Sequence, residues 1–299
     1  MANLVRLLNH RGKKGDTVKI PTPTRGVTSA KAAQAQVSLQ EHGADTGISV
    51  LIDKHREYSR FIEDLAETQA LESLRRFYTD DAGYAIAKRV DYELILECAR
   101  GGTGPSGTGN TINEEAVTGD INSDSTFTNA FIGDGVTAWD STANTNAGNA
   151  TDLTDAGIRS LLKKLDDVDA PMAGRYLVIP TVVKQDMLGF SRYTEQAFVG
   201  EVGSANSIRN GFVGNVYGTE IYVTTNLPFV EDTGTNADQK LALLFQRDAI
   251  VLVEQLGVRT QSQYKLEYLA DLFTADLIFG VKTLRGTSIL PIVVPSTAT

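Results

Sequence analysis

Four apolar side chains recur at four-residue spacing late in the first third of the chain: Ile86, Val90, Leu94 and Cys98. That spacing predicts a helix with one apolar stripe, and Lys88, Arg89, Asp91 and Glu97 fall largely outside it. The helical pattern extends over residues 60–99, with Asp80 and Asp81 as caps of a second segment and Gly83 near a break. Gly101-Gly102 ends it, because glycine leaves the helical region without a steric penalty. Another helix is predicted within DLTDAGIRSLLKKLDDVDAP. Thr154 is its N-cap, Ile158, Leu161, Leu162 and Leu165 its apolar face, and Pro171 lies beyond its end. Residues 181–199 also have a helical pattern.

Elsewhere the period is two. In TVKIP, Val18 and Ile20 alternate with Lys19, and Pro21 and Pro23 then stop regular pairing. In ISVLIDKH, Ile48, Val50 and Ile52 alternate with Ser49, Leu51 and Asp53. The stretch between them is polar and small, so the two strands are predicted to form a long loop projecting from the body. RYLVIP is a short buried strand, and GFVGNVYGTEIYVTTNLP a turn-rich hairpin in which Ile221 and Val223 alternate with Tyr222. The segment AIVLVEQLGVRTQSQYKLEYLADLFTADLIFGVKTLRG reads as a series of β segments, and SILPIVV closes the chain as another. Residues 101–150 read as loop, with Phe127, Phe131, Ile132 and Trp139 as anchors. Helices and strands do not alternate regularly and no run of βαβ units appears, which favours an α+β fold.

Composition narrows the class. With 299 residues, 41% hydrophobic and 22% charged, the chain reads as soluble and globular, of one large domain or two ordinary ones. A net charge of -9 argues against a sequence-specific DNA reader, whose affinity rests on neutralising phosphates. The charge is uneven. Residues 1–19 carry Arg6, Arg11, Lys13, Lys14 and Lys19 against Asp16, whereas residues 101–150 contain no Lys or Arg. No apolar run approaches the roughly 20 residues that span a bilayer. The opening lacks the layout of a signal peptide, so no membrane is expected and the cytoplasm is the expected site of synthesis.

The most suggestive chemistry is GGTGPSGTGN, where Gly102, Gly104 and Gly107 fit the G-x-G-x-x-G of a nicotinamide dinucleotide site. That fingerprint needs a strand leading in and a helix leading out, so that the pyrophosphate meets free N–H groups. Here a helix leads in and no clear helix leads out, so a connector is the favoured reading and a nicotinamide-dependent enzyme the remote one. No G-K-[ST] follows a glycine run. His10, His42 and His55 lie far apart and outside any metal motif. Asp120, Asn122 and Asp124 mimic the start of a calcium loop, but Ser125 and Phe131 stand where glycine and glutamate belong. Cys98, the single cysteine, reads as a small buried hydrophobe. Asp166-Asp167 and Glu63-Asp64 are adjacent pairs whose members face different ways on a helix. The expected catalytic, cofactor and metal sites are therefore none. The basic arm lacks aromatic residues for stacking on bases, and ordering against a neighbour fits it equally well.

The order of segments carries the remaining information. RYLVIP is followed by IRNGFVGNVYGTEIYVTTNLP, with Ile208, Gly211, Gly214, Gly218, Ile221, Leu227 and Pro228 in a recurrent pattern. Ala249-Ile250 and Phe279-Gly280 follow, and IDKHREYSRFIEDLAETQA precedes at residues 52–70. In this order the chain resembles the major capsid proteins of tailed bacteriophages, with the Hong Kong 97-type fold, over nearly its whole length. The resemblance implies an N-terminal arm at 1–23, an extended E-loop at 24–59 and a spine helix with the first part of a peripheral domain at 60–149. It implies an axial domain at 150–247, returning peripheral strands at 248–285 and a C-terminal strand at 286–299. It implies a structural subunit that forms hexamers and pentamers, encloses double-stranded DNA contacted non-specifically, and resides in the virion after assembly in the host bacterial cytoplasm. A separate scaffolding protein, a portal and decoration proteins are the implied partners. Some members join a lysine to an asparagine between subunits. Lys31 and Lys54 lie in or beside the E-loop, no partner is evident, and an uncross-linked shell is expected. An encapsulin-type bacterial compartment shell is the alternative within the same fold.

Overall fold

The computed structural model describes residues 1–22, 47–69, 74–110, 129–140, 149–190, 214–231 and 239–296, with isolated residues between them such as Lys31, Ile112 and Phe127. A 3-10 turn (Ala2–Leu4) leads into β1 (Arg6–Asn9), β2 (Thr17–Pro21), β3 (Gly47–Leu51) and β4 (Lys54–Glu63). Helices α1 (Asp64–Gln69) and α2 (Leu74–Gly101) follow. Then come β5 (Phe131–Ile132), α3 (Asp155–Asp167), β6 (Arg175–Ile179), α4 (Thr181–Leu188), β7 (Asn215–Val216) and β8 (Thr219–Val223). The chain ends with β9 (Phe229–Glu231), β10 (Gln239–Gln246), β11 (Ile250–Lys265), β12 (Ala270–Thr283) and β13 (Ile289–Pro295).

Among the described residues the strands form three sheets. One has the order β1-β11-β12-β4, antiparallel except where β1 joins β11 in parallel. The second runs β5-β13-β10-β6-β8-β7, with β9 also on β10. Among the described residues β6 pairs with β8 and β5 with β13 in parallel, while the other pairs of this sheet are antiparallel, a mixed sheet in keeping with the class α+β. The third is the β2–β3 hairpin, whose register pairs Thr17 with Leu51 and Pro21 with Gly47. Val18, Ile20 and Val50 line its inner face and pack on Val251 and Val253 of the first sheet, as the period of two predicts.

Helix α2 sits at the centre. From Tyr92 to Ala99 every side chain is buried, because this half of the helix packs against strands of both larger sheets. The predicted stripe of Ile86, Val90, Leu94 and Cys98 is buried, but so is Glu97, which the stripe placed outside. Its carboxylate accepts the Thr283 N–H at 2.9 Å. Helix α3 follows the pattern closely. The Thr154 hydroxyl accepts the Gly157 N–H at 3.0 Å, and Ile158, Leu161, Leu162 and Leu165 face the second sheet's core.

The helix expected over residues 60–99 differs in two ways. Residues 60–63 are strand, the end of β4. In β4 the face toward α2 carries Lys54, Arg56 and Tyr58, which bond Glu93 and Asp81, so polar groups occupy both faces and no apolar alternation marks the strand. Gly83 is no break either. Helix α2 runs through it without interruption, and a methyl group there would meet no atom within 4 Å. Asp80 and Asp81 therefore cap nothing. Residues 191–199 of the predicted third helix lie outside the described residues. Among the described residues no helix is long and apolar enough to cross a membrane.

Candidate functional site

The glycine loop was the first candidate. Two of its three fingerprint glycines face protein. A side chain at Gly102 would strike the Cys98 carbonyl and Pro291, and one at Gly104 would strike Asn129. Gly107, with φ +75°, faces open space at a turn. Four of the loop's N–H groups donate to backbone carbonyls within the fold: Gly102 to Cys98, Thr103 to Ile289 at 2.9 Å, Gly107 to Gly104, and Asn110 to Arg100 at 2.8 Å. Two asparagines fasten it. Asn110 donates to the Ala99 and Asn129 carbonyls, and the Asn129 side chain accepts the Ser106 N–H at 3.0 Å. A pyrophosphate cradle needs unpaired N–H groups at a helix start. This loop instead closes the end of α2 against β13. Asn110 and Asn129 drew no attention in the sequence, because an asparagine that pins a loop looks like any loop asparagine.

The other candidates are dispersed. His55 contacts Asp276 at 3.2 Å, and His10 lies on the arm, away from it. His42, Asp120, Asn122 and Asp124 lie outside the described residues. Among the described residues no group of three His, Cys, Asp or Glu side chains could hold a metal. Cys98 is fully buried, and burial pushes its thiol pKa well up, so the reactive thiolate is disfavoured. The paired carboxylates serve separate partners. Asp166 accepts from Arg175 at 2.7 Å, Asp167 from Lys163 at 2.5 Å, and Asp64 from the Tyr264 hydroxyl at 2.7 Å.

What the structure does assemble is a set of joints that orient extended segments. Glu93 is the first. Buried in α2, it receives Lys54 at 3.3 Å and Arg89 at 2.8 Å, together with Arg56. Lys54 and Arg56 sit on one face of β4, so a single carboxylate ties the strand leaving the hairpin to the helix. Lys54, a candidate for cross-linking, is thus buried in this joint. Gly280 is the second. A side chain there would collide with the Leu51 carbonyl, so glycine lets the end of β3 cross β12 closely. The third is the arm. The sequence presents residues 1–23 as an extended arm, but Arg6–Asn9 pairs with Val251–Glu254 of the same chain. The terminal amine meets Asp91 at 3.0 Å, and Arg11 meets Glu254 at 2.5 Å. The fourth is the tight turn at Tyr217-Gly218, where both residues have positive φ, the signature of a two-residue hairpin turn between β7 and β8. Ile208 and Gly211 of the same motif lie outside the described residues.

No protein-family model and no curated protein sequence matches the chain. Solved structures do match. The structure titled Mycobacterium phage Che8 is 23% identical, covers 97% of this chain and 89% of its own, and superposes with a TM-score of 0.66. The Cyanophage Pam1 capsid asymmetric unit, 13% identical, covers 99% of this chain and 90% of its own at a TM-score of 0.69. The capsid of Ralstonia phage GP4 is 17% identical, with 98% and 87% covered and a TM-score of 0.65. At these identities the likeness is one of fold, and it extends from the arm to the last strand. The chain therefore has the Hong Kong 97-type capsid fold.

Proposed function

We propose that this chain is the major capsid subunit of a tailed phage, a structural protein that forms the icosahedral head. The observation that carries the reading is a match to phage capsid structures over 97% or more of the chain, with most of each matched chain covered as well. The joints support it. An arm that pairs with β11 and a β2–β3 hairpin fastened through Lys54 and Arg56 to Glu93 suit a role as segments that meet neighbouring copies, and the glycine loop offers no competing chemistry.

On this reading residues 1–23 are the arm, 24–59 the E-loop, 60–149 the spine helix with part of the peripheral domain, and 150–247 the axial domain around the capsomer axes. Residues 248–285 return to the peripheral domain and 286–299 are the C-terminal strand. The subunit has no catalytic task. Its partners are other copies in hexamers and pentamers, a separate scaffolding protein, a portal, decoration proteins, and double-stranded DNA held without sequence preference. Its location is the virion, after assembly in the host cytoplasm. Mass spectrometry of particles purified from cells that make the chain tests this. The chain is expected as the most abundant protein, alongside nuclease-protected double-stranded DNA. Particles that hold a cargo enzyme and no DNA would move the reading to a bacterial compartment shell, and absence of the chain from particles would overturn both.

A further inference from the structure

The first sheet has two unlike edges. Strand β4 forms one, and five of its ten residues, KHREYSRFIE, are Lys, Arg or Glu, the charge density by which sheets discourage pairing. Strand β11 forms the other. The arm covers only its beginning, at Val251–Glu254, and then turns away, with the Gln255 side chain holding the Lys13 and Gly15 carbonyls. Arg259–Lys265 of β11 then pair with β12 on one side, and among the described residues no strand pairs with the other side from Val258 on. This outer half reads VRTQSQYK, without proline, glycine or acid, and Val258 and Tyr264 are 56% and 43% exposed. Its one interior charge, Arg259, is held across the strand pair by Asp276 at 2.7 and 2.9 Å. The irregularities of β11 lie between Glu254 and Arg259, so the strand is regular from Arg259 to Lys265. Neither proline nor an irregularity interrupts residues 259–265, and about half of their N–H and C=O groups point away from β12.

We propose that residues 258–265 pair antiparallel with the same residues of a second copy across a two-fold axis, joining two four-stranded sheets into one. Self-complementarity selects this occupant. A two-fold axis through Gln261 sets that residue opposite itself, Thr260 opposite Ser262, Arg259 opposite Gln263 and Val258 opposite Tyr264, so no like charges meet. The pairing also continues an edge that already accepts a strand, since β1 occupies its first part. A two-fold contact uses the same patch on both partners, as this one does. The inference adds a specific contact to the shell reading but does not require it, because the edge is equally open in the free chain.

The test uses Gln261→Cys and Ser262→Cys in the full-length chain, separately, under mild oxidation. Cys98 is fully buried, so the parent chain supplies the blank. The Gln261→Cys chain is expected to give a disulfide-linked dimer at least about tenfold above the parent, as opposite residues in an antiparallel pair bring Cβ atoms to about 4.5–5.5 Å. A two-fold axis through Ser262 would instead link the Ser262→Cys chain to itself, which supports the pairing equally. Shells that form without dimer from any preparation would overturn the pairing and leave the shell reading intact. Dimer without shells would uphold the pairing and count against the shell, and neither product would overturn both.

Discussion

At Glu93 one buried carboxylate joins the strand that leaves the hairpin to the central helix. Replacing it by Gln keeps the shape and removes the charge that Lys54, Arg56 and Arg89 share. Breaking a buried ion pair from one side costs about 3 kcal/mol, and Glu93→Gln is expected to lower the urea midpoint accordingly. Asp134 makes a smaller, pH-dependent contribution. Partial burial acts to raise its carboxyl pKa. The Thr137 hydroxyl and the Val136 and Thr137 N–H groups outweigh that and hold it below the usual range. A depressed folded pKa stabilises the native state above the unfolded value of about 3.9 and loses that contribution as pH falls through the folded value. Asp134→Asn should therefore be less stable than the parent at about pH 6 and approach it near about pH 2.5, as read by urea unfolding at both. Thr154 was legible in the sequence because a cap and its helix are local. Glu93 and Glu97 were not, because their partners Lys54, Arg56 and Thr283 are remote in sequence, and a carboxylate on a helix reads as solvated until those partners are known.

At the scale of elements, α2 gives a clean test. Gly83 lies on an exposed part of an unbroken helix, with room for a methyl group. Gly83→Ala is expected to stabilise the chain by about 1 kcal/mol, seen as a higher melting temperature. A loss of stability would restore the break that the sequence pattern suggested. Elements with one apolar and one polar face were legible: α3, the β2–β3 hairpin and the β7–β8 turn. Strand β4 was not, since its inward face is built from Lys54, Arg56 and Tyr58 and lacks the expected period. The glycine loop misled for a related reason. Three glycines at dinucleotide spacing do not reveal what their missing side chains would meet, and at Gly102 and Gly104 that is protein.

For the whole molecule, the order of segments carried the resemblance, while the sheet partners were hidden in it. Strand β1 joins β11, and β5 joins β13, pairings that bring together parts of the chain more than a hundred residues apart. Such contacts leave no local mark, and only the complete chain order pointed toward the fold. The fold in turn makes the central claim a claim about assembly. Negative-stain electron microscopy of the chain, expressed alone and with its neighbouring reading frames, tests it most directly. The account predicts closed shells, or rings of five and six subunits. A small compact oligomer that never forms shells, even with those neighbours present, would contradict it.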